Sequence, residues 1–160
     1  MRKMRRFKQD MPKDWIEALL IRNTSGVLAV NGDDGYPYGV PVNYAYCDGK
    51  IYFHSSKQGY KNDCLAASSK ACFTVIDADE IIAEGYTSHF KSAIVTGNVR
   101  LTEGDERRAG LMAIVEKYSG IMPREEKDLK VEKCNAAAVY AIEIESMSGK
   151  QAFNLVKKGE

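Results

Sequence analysis

The densest set of chemically capable side chains is Tyr52-Phe53-His54-Ser55-Ser56-Lys57-Gln58-Gly59-Tyr60-Lys61. A strand-like run ends there in His-Ser-Ser, and a glycine turn opens a helical pattern that carries a lysine. A terminal phosphate is bound by hydroxyl donors, cationic side chains and free backbone N–H groups at a helix start. Ser55, Ser56, Lys57, Lys61 and the amides around Gly59 supply all three. The competing reading is a polar turn with no chemistry, because serine and lysine commonly close strands. His54 carries two readings as well, a ligand contact or a strand residue bonded to a neighbouring carbonyl.

Other chemistry is thin. The chain has no G-x-G-x-x-G, no G-x-x-x-x-G-K-[ST] and no G-x-S-x-G, the marks of dinucleotide folds, P-loops and serine hydrolases. Cys47, Cys64, Cys72 and Cys134 form no C-x-x-C pair, and His54 and His89 are the two histidines, so no metal site is expected. Asp33-Asp34 and Asp77/Asp79/Glu80 lie beside strand ends, where turn roles outweigh acid–base work.

The 160 residues fit one domain, 1–160, with residues 1–11 as an N-terminal arm. Lys+Arg is 23 and Asp+Glu is 22, which gives no electrostatic case for a nucleic-acid partner. No apolar run reaches the roughly 18 residues of a membrane helix. Arg2, Lys3, Arg5, Arg6 and Lys8 crowd the start, but Gln9, Asp10, Pro12 and Lys13 follow where a secretory signal would be apolar. The arm reads as solvated, or as touching a partner subunit or an anionic ligand. The expected location is cytoplasmic, with the cysteines as thiols.

The elements that must position the His-Ser-Ser block follow from periodicity. Residues 12–22 read as a helix with Trp15, Ile16, Leu19 and Leu20 on one face. Residues 27–31 read as a buried strand. In 36–46, Val40, Val42, Tyr44 and Tyr46 share one strand face, with Pro41, Asn43 and Ala45 on the other. Asp48-Gly49 is a hairpin turn into a strand over 50–55. A short helix over 59–67 follows, then strands over 71–77 and 92–101 with a polar stretch between them. Thr102-Glu103-Gly104-Asp105 resembles a helix cap. Residues 105–118 form a helix whose Leu111, Met112, Val115 and Tyr118 read as core. Residues 124–133 read as a solvated loop or helix face, and 136–145 as a last strand. This hairpin-rich order predicts a mainly β fold, an antiparallel sheet closing on itself with helices flanking its ends.

Val40-Pro41-Val42-Asn43-Tyr44, the Asp48-Gly49 turn, and Tyr52-Phe53-His54-Ser55-Ser56 with Gly59 and Lys61 resemble the FMN-binding split-barrel superfamily. More closely, they resemble its 5-nitroimidazole-resistance branch, related to pyridoxamine 5'-phosphate oxidase. It implies a six-stranded antiparallel split β-barrel that forms a homodimer with FMN (or FAD) between subunits. By position, Pro41, Val42, Asn43 and Tyr44 would run beside the isoalloxazine ring. His54, Ser55 and Ser56 would follow the flavin tail, with Ser55, Ser56, Lys57 and Lys61 nearest the phosphate. Lys91 and Ser92 would add contacts from a neighbouring strand, and Lys150 and Gln151 from the last one.

The implied activity is flavin-dependent reduction of a small planar acceptor such as a nitroimidazole, with NADH or NADPH as donor. In that reading the flavin does the chemistry, and His54 or Tyr44 are candidate proton donors. Two alternatives stay open: a flavin carrier without turnover, and a barrel that binds haem through His54 or His89. The basic and aromatic set with which pyridoxamine 5'-phosphate oxidases hold their substrate phosphate is missing. Tyr60 stands where many relatives carry arginine, which implies one cation fewer at the phosphate.

Overall fold

Alternation along one long strand sets how the sheet curls. In β2 (Pro37–Cys47), Val42 and Tyr44 are buried while Pro41 and Asn43 are exposed, as the sequence pattern requires. The computed structural model, which describes residues 4–158, surrounds β2 with β1 (Ser25–Asn31), β3 (Lys50–Ser56), β4 (Lys70–Ile82), β5 (Thr87–Leu101) and β6 (Ala137–Gln151). All pairings are antiparallel, and the strands close into a barrel in the order β1-β2-β3-β6-β5-β4. The helices are α1 (Lys13–Arg22), α2 (Tyr60–Ala67), α3 (Gly104–Ser119), α4 (Arg124–Lys133) and α5 (Phe153–Lys158). None is long and apolar enough to cross a membrane among the described residues.

The barrel interior is filled by Leu28, Val30, Tyr44, Ile51, Phe53, Phe73, Val75, Val95 and Ile142. Ile16, Leu19 and Leu20 of α1 pack into the same core, with Trp15 at its margin. Tyr44 is fully buried, so its hydroxyl needs a partner; it donates to the Leu20 carbonyl at 2.8 Å. A second layer lies outside β2, β3 and β6, where α3 packs on Ala45, Tyr52 and Ala141 through Ile114. Gly110 permits that approach, since a Cβ there would meet the Tyr52 ring at 2.6 Å. This cover explains why Lys50–Phe53 and Ala138–Ile142 bury both faces, a pattern that period-two reasoning assigns to one face.

Several expectations shift. The polar stretch after residue 77 is not a loop. β4 and β5 continue as a two-stranded arm, pairing Ala78 with Lys91 through to Ile82 with Thr87. Thr102 does not cap α3: it is buried, and its hydroxyl donates to the Val139 carbonyl at 2.9 Å. The α3 residues against the sheet and α4 are Gly110, Leu111 and Ile114, with Met112, Val115 and Tyr118 half-buried. Residues 124–133 are the helix α4, with Lys127 buried against Glu116 at 2.7 Å. β6 runs on to Gln151 past a register shift opposite Thr96/Gly97. At the start of the chain, Arg2 and Lys3 lie outside the described residues. Arg5, Arg6 and Lys8 are exposed, whereas Gln9 and Met11 are buried.

Candidate functional site

The ladder between β2 and β3 is short. It pairs Tyr44 with Phe53 and Cys47 with Lys50, and it stops there. Beyond that point β2 stays paired only to β1, from Pro37 to Asn43, and β3 only to β6, from His54 to Ser56. Continued in register, the ladder would set Asn43 opposite His54, Val42 opposite Ser55 and Pro41 opposite Ser56. The two sequence blocks singled out above therefore line the two facing, unpaired edges of one split.

The direction of the backbone groups follows from Tyr118. Its hydroxyl accepts from the Tyr44 N–H at 2.9 Å and shares its one proton between the carbonyls of Thr24 and Tyr44, the latter at 3.1 Å, filling the place that β1 leaves beyond Ser25. Tyr44 thus turns its backbone groups away from β3, and alternation turns those of Asn43 toward the split. The Pro41 carbonyl points the same way. Proline has no N–H, so the open edge carries no unpaired donor at that position. On the facing edge, the backbone N–H and C=O of His54 point into the split by the same alternation.

The turn after β3 supplies the charge. Gly59 has φ +129°, a conformation that side chains disfavour, and α2 begins at the next residue without a side-chain cap. Asn62 donates its amide to the Ser56 carbonyl at 2.7 Å, while its own Oδ1 is buried without a partner. Lys61 is half-buried with its Nζ 5.9 Å from the centre of the Phe53 ring. Burial lowers its pKa, with no carboxylate opposing that effect. A partly desolvated ammonium without a counter-ion favours an anion beside it. Ser55 is half-buried, and His54, Ser56 and Lys57 are exposed. Hydroxyls, two lysines and uncapped helix amides thus meet at one end of the split.

Tyr60 packs away from this cluster. Its hydroxyl donates to Asp33 Oδ1 at 2.7 Å and accepts from the Asp33 N–H at 3.1 Å, tying α2 to the β1–β2 turn. That hydrogen bond to a carboxylate pushes its pKa up to about 12. Tyr44, a candidate proton donor by sequence, is excluded from that role because its ring faces the barrel core. Val42 likewise turns its side chain inward. These two contribute shape and backbone to the split, and no reactive atom.

The remaining predicted contacts lie elsewhere. Ser92 pairs with Lys150, and Lys91 with Gln151, at the far end of β6. His54, Ser55 and Ser56 pair with Val139, Ala138 and Ala137 at its start. About 40 Å of strand separates the two groups at ~3.3 Å per residue. They share no ladder or hydrogen bond among the described residues. Lys150 holds its Nζ 5.1 Å from the Phe90 ring, and Gln151 is buried with an unpartnered Oε1. His89 lies in the β4–β5 arm, 3.6 Å from Glu80, away from His54. Two sizeable cavities also lie away from the split. One, of about 460 Å³, is lined by Ala29, Cys72, Thr96 and Glu145; the other, of about 610 Å³, by Ile21, Cys47, Met112 and Lys117.

Sequence reasoning missed Tyr118, Asn62 and the arm. The signal for Asn62 was its place in the first turn of α2, where a short amide reaches back to the preceding chain. Tyr118 gave none, because its stripe position predicts only packing.

The sequence profile of the pyridoxamine 5'-phosphate oxidase family matches residues 12–151. No curated protein matches the sequence. Among solved structures, a Bacteroides thetaiotaomicron protein provisionally named for 5-nitroimidazole antibiotic resistance is 23% identical, with a TM-score of 0.75 over 89% of this chain and 86% of that one. A Mesorhizobium loti FAD-binding protein is also 23% identical, with a TM-score of 0.64 over 89% of this chain and 96% of that one. An FAD and haem binding protein from Mycobacterium smegmatis is 18% identical, with a TM-score of 0.72 over 90% of this chain and 73% of that one. At these identities the likeness is one of fold, the six-stranded split barrel with flanking helices.

Proposed function

The chain belongs to the pyridoxamine 5'-phosphate oxidase family, and from that premise we propose that it is a flavoprotein, holding FMN in the split between β2 and β3 and reducing small planar acceptors such as nitroaromatics. The observation that carries this reading is the early stop of the β2–β3 ladder, which leaves two polar edges facing each other beside a cationic turn.

The residues fit the group. A flavin has a flat ring with a polar edge, and a charged tail. The Asn43 N–H and C=O and the Pro41 carbonyl bind the ring edge, and such bonds tune a bound flavin's potential. Ser55, Ser56, Lys57 and Lys61 bind the phosphate together with the first amides of α2. FAD shares the ring and the first phosphate, so the same donors serve it. His54, exposed on the outer face of β3, is the side chain placed to hold or move a proton beside the ring. The chemistry that flavin supplies when bound is acceptance of a hydride from a nicotinamide donor and delivery of electrons to the acceptor.

A second copy of the chain completes the site. Lys91, Ser92 and Lys150 stand at the opposite end of β6 from His54 and Ser55 of their own chain, and the inter-subunit arrangement that the family resemblance implies would bring them from a partner. The outer sheet face that would receive the partner exposes Val27, Ile76 and Ile94. We assign the work to the cytoplasm, where the four free thiols stay reduced.

The test is to add FMN to the purified protein, remove the excess and record the visible spectrum, then mix anaerobically with NADH or NADPH and a nitroimidazole. Retained flavin that is reduced and reoxidised within seconds is expected. Retained flavin that neither donor reduces would make the protein a carrier, and no retained FMN or FAD would end the flavin reading.

A further inference from the structure

The β4–β5 arm is the least supported part of the sheet. β1 pairs with β4 only as far as Thr74, and β6 pairs with β5 only as far as Lys91. The Phe90 carbonyl still accepts from the Ala152 N–H at 2.9 Å, and beyond it the two strands pair with each other alone, out to Ile82 and Thr87. An isolated two-stranded hairpin is marginal in water unless something covers it. This one is nevertheless rich in exposed apolar surface: Ile81 is 83% exposed and Tyr86 99%. Tyr86 closes the tip with φ +47°, a left-handed conformation that is uncommon for a bulky residue. The base of the arm is anchored, since Asp77 is bound by Arg22 and by the Asn23 amide at 2.6 Å. The arm is therefore aimed from the barrel rather than folded onto it.

The split has the complementary defect. Pro41, Asn43, His54, Ser56 and Lys57 are all exposed, so a planar ligand held by them keeps one side in water. Binding sites for such ligands bury most of the ligand surface. The rings of Tyr44 and Phe53, the last paired residues before the split, face the barrel core. The missing part is an apolar lid, and the arm is an apolar lid without a floor.

We propose that the β4–β5 arm of each copy lies across the split of the other, with Tyr86 covering the planar ring held there. This rests on the flavin reading for the identity of the ring, and on the exposed, unsupported strands for the arm. The contact is isologous, each copy giving an arm and receiving one, as a two-fold dimer requires. It also places Lys91 and Ser92, at the arm's base, on the partner's side of the site.

Subunit complementation tests the arrangement. Tyr86→Ala is expected to weaken FMN binding about fivefold to tenfold, the worth of an aromatic ring contact, with an unchanged circular dichroism spectrum. Ser55→Ala/Lys61→Ala weakens it through the phosphate. Mixed dimers of the two variants, isolated through two different tags, are expected to show one tight FMN site per dimer. In them one split has both lesions and the other has neither. If Tyr86 covered the split of its own chain, both splits would carry one lesion and no tight site would appear, which overturns the proposal. Ile81→Asp is expected to shift the dimer toward monomer in sedimentation; an unchanged dimer rejects the arm contact. If the wild-type protein retains no flavin, the role of Tyr86 falls with the flavin reading, and sedimentation of Ile81→Asp still decides the arm contact by itself.

Discussion

β3 is two different strands joined end to end. From Lys50 to Phe53 it is paired on both edges, covered by α3 outside and the barrel core inside, and its side chains Ile51, Tyr52 and Phe53 are buried. From His54 to Ser56 it is paired on one edge and largely exposed. The first half makes the barrel stable, and the second leaves hydrogen-bonding groups unspent for a ligand. The lesson is that in this fold the binding edge is made by stopping a ladder, and α3 with Tyr118 marks where it stops.

The comparison breaks most visibly at the boundary. Phe53→Ala should cost about 3–5 kcal/mol, the range for a buried phenylalanine, whereas His54→Ala one residue on should stay within ~0.5 kcal/mol. Urea unfolding midpoints of the two variants measure the contrast, and similar losses would mean that the two halves are not distinct. The converse holds for binding. Ser55→Ala/Lys61→Ala should leave the midpoint unchanged and weaken FMN by roughly a hundredfold or more, since hydrogen bonds to charged groups contribute ~1.5–3 kcal/mol each. On the covered side, Gly110→Ala should cost about 1–3 kcal/mol through overpacking on Tyr52, with FMN affinity intact in the folded fraction.

Two smaller effects appear as pH dependence. Burial lowers the pKa of Lys117 to about 8; its Nζ lies 4.0 Å from the Tyr44 ring. Between pH 8 and the ordinary lysine value the unfolded chain binds the extra proton, so stability should rise with pH through that window. Lys117→Met should remove the rise, and a variant that keeps it would locate the titration elsewhere. The smallest effect concerns Glu106, which Arg100 and Lys50 hold at about 2. Its contribution is present above the usual carboxylate range and is lost as pH falls toward 2. Because the network is exposed, Glu106→Gln should flatten acid unfolding only slightly, and less in high salt.

Much of this architecture was legible in the sequence. Period-two alternation gave the faces of β2 around the split, and Asp48-Gly49 gave its register with β3, because turn chemistry and burial agree there. The split was not legible. Alternation reports which face a residue takes, and nothing in Val42 or Ser55 says that the neighbouring strand has left. The arm was missed for a related reason: Ala78–Ile82 and Thr87–His89 have no buried face to impose a pattern, and their ladder is with each other alone. Tyr60 read as a missing cation; in the structure it is a strut to Asp33, which only the folded turn brings near. The helical character of α4 was open in the sequence because its charges hide one buried lysine, Lys127, whose partner Glu116 sits on α3.

The central claim is that the facing edges of β2 and β3 are the cofactor site, and amide hydrogen exchange with and without FMN tests it most directly. The account predicts slowed exchange at Asn43, at His54–Ser56 and in the first turn of α2, with the β5–β6 ladder around Val95 unchanged. Protection that appears at the cavities beside Cys72 or Lys117, with the split unaffected, would contradict it.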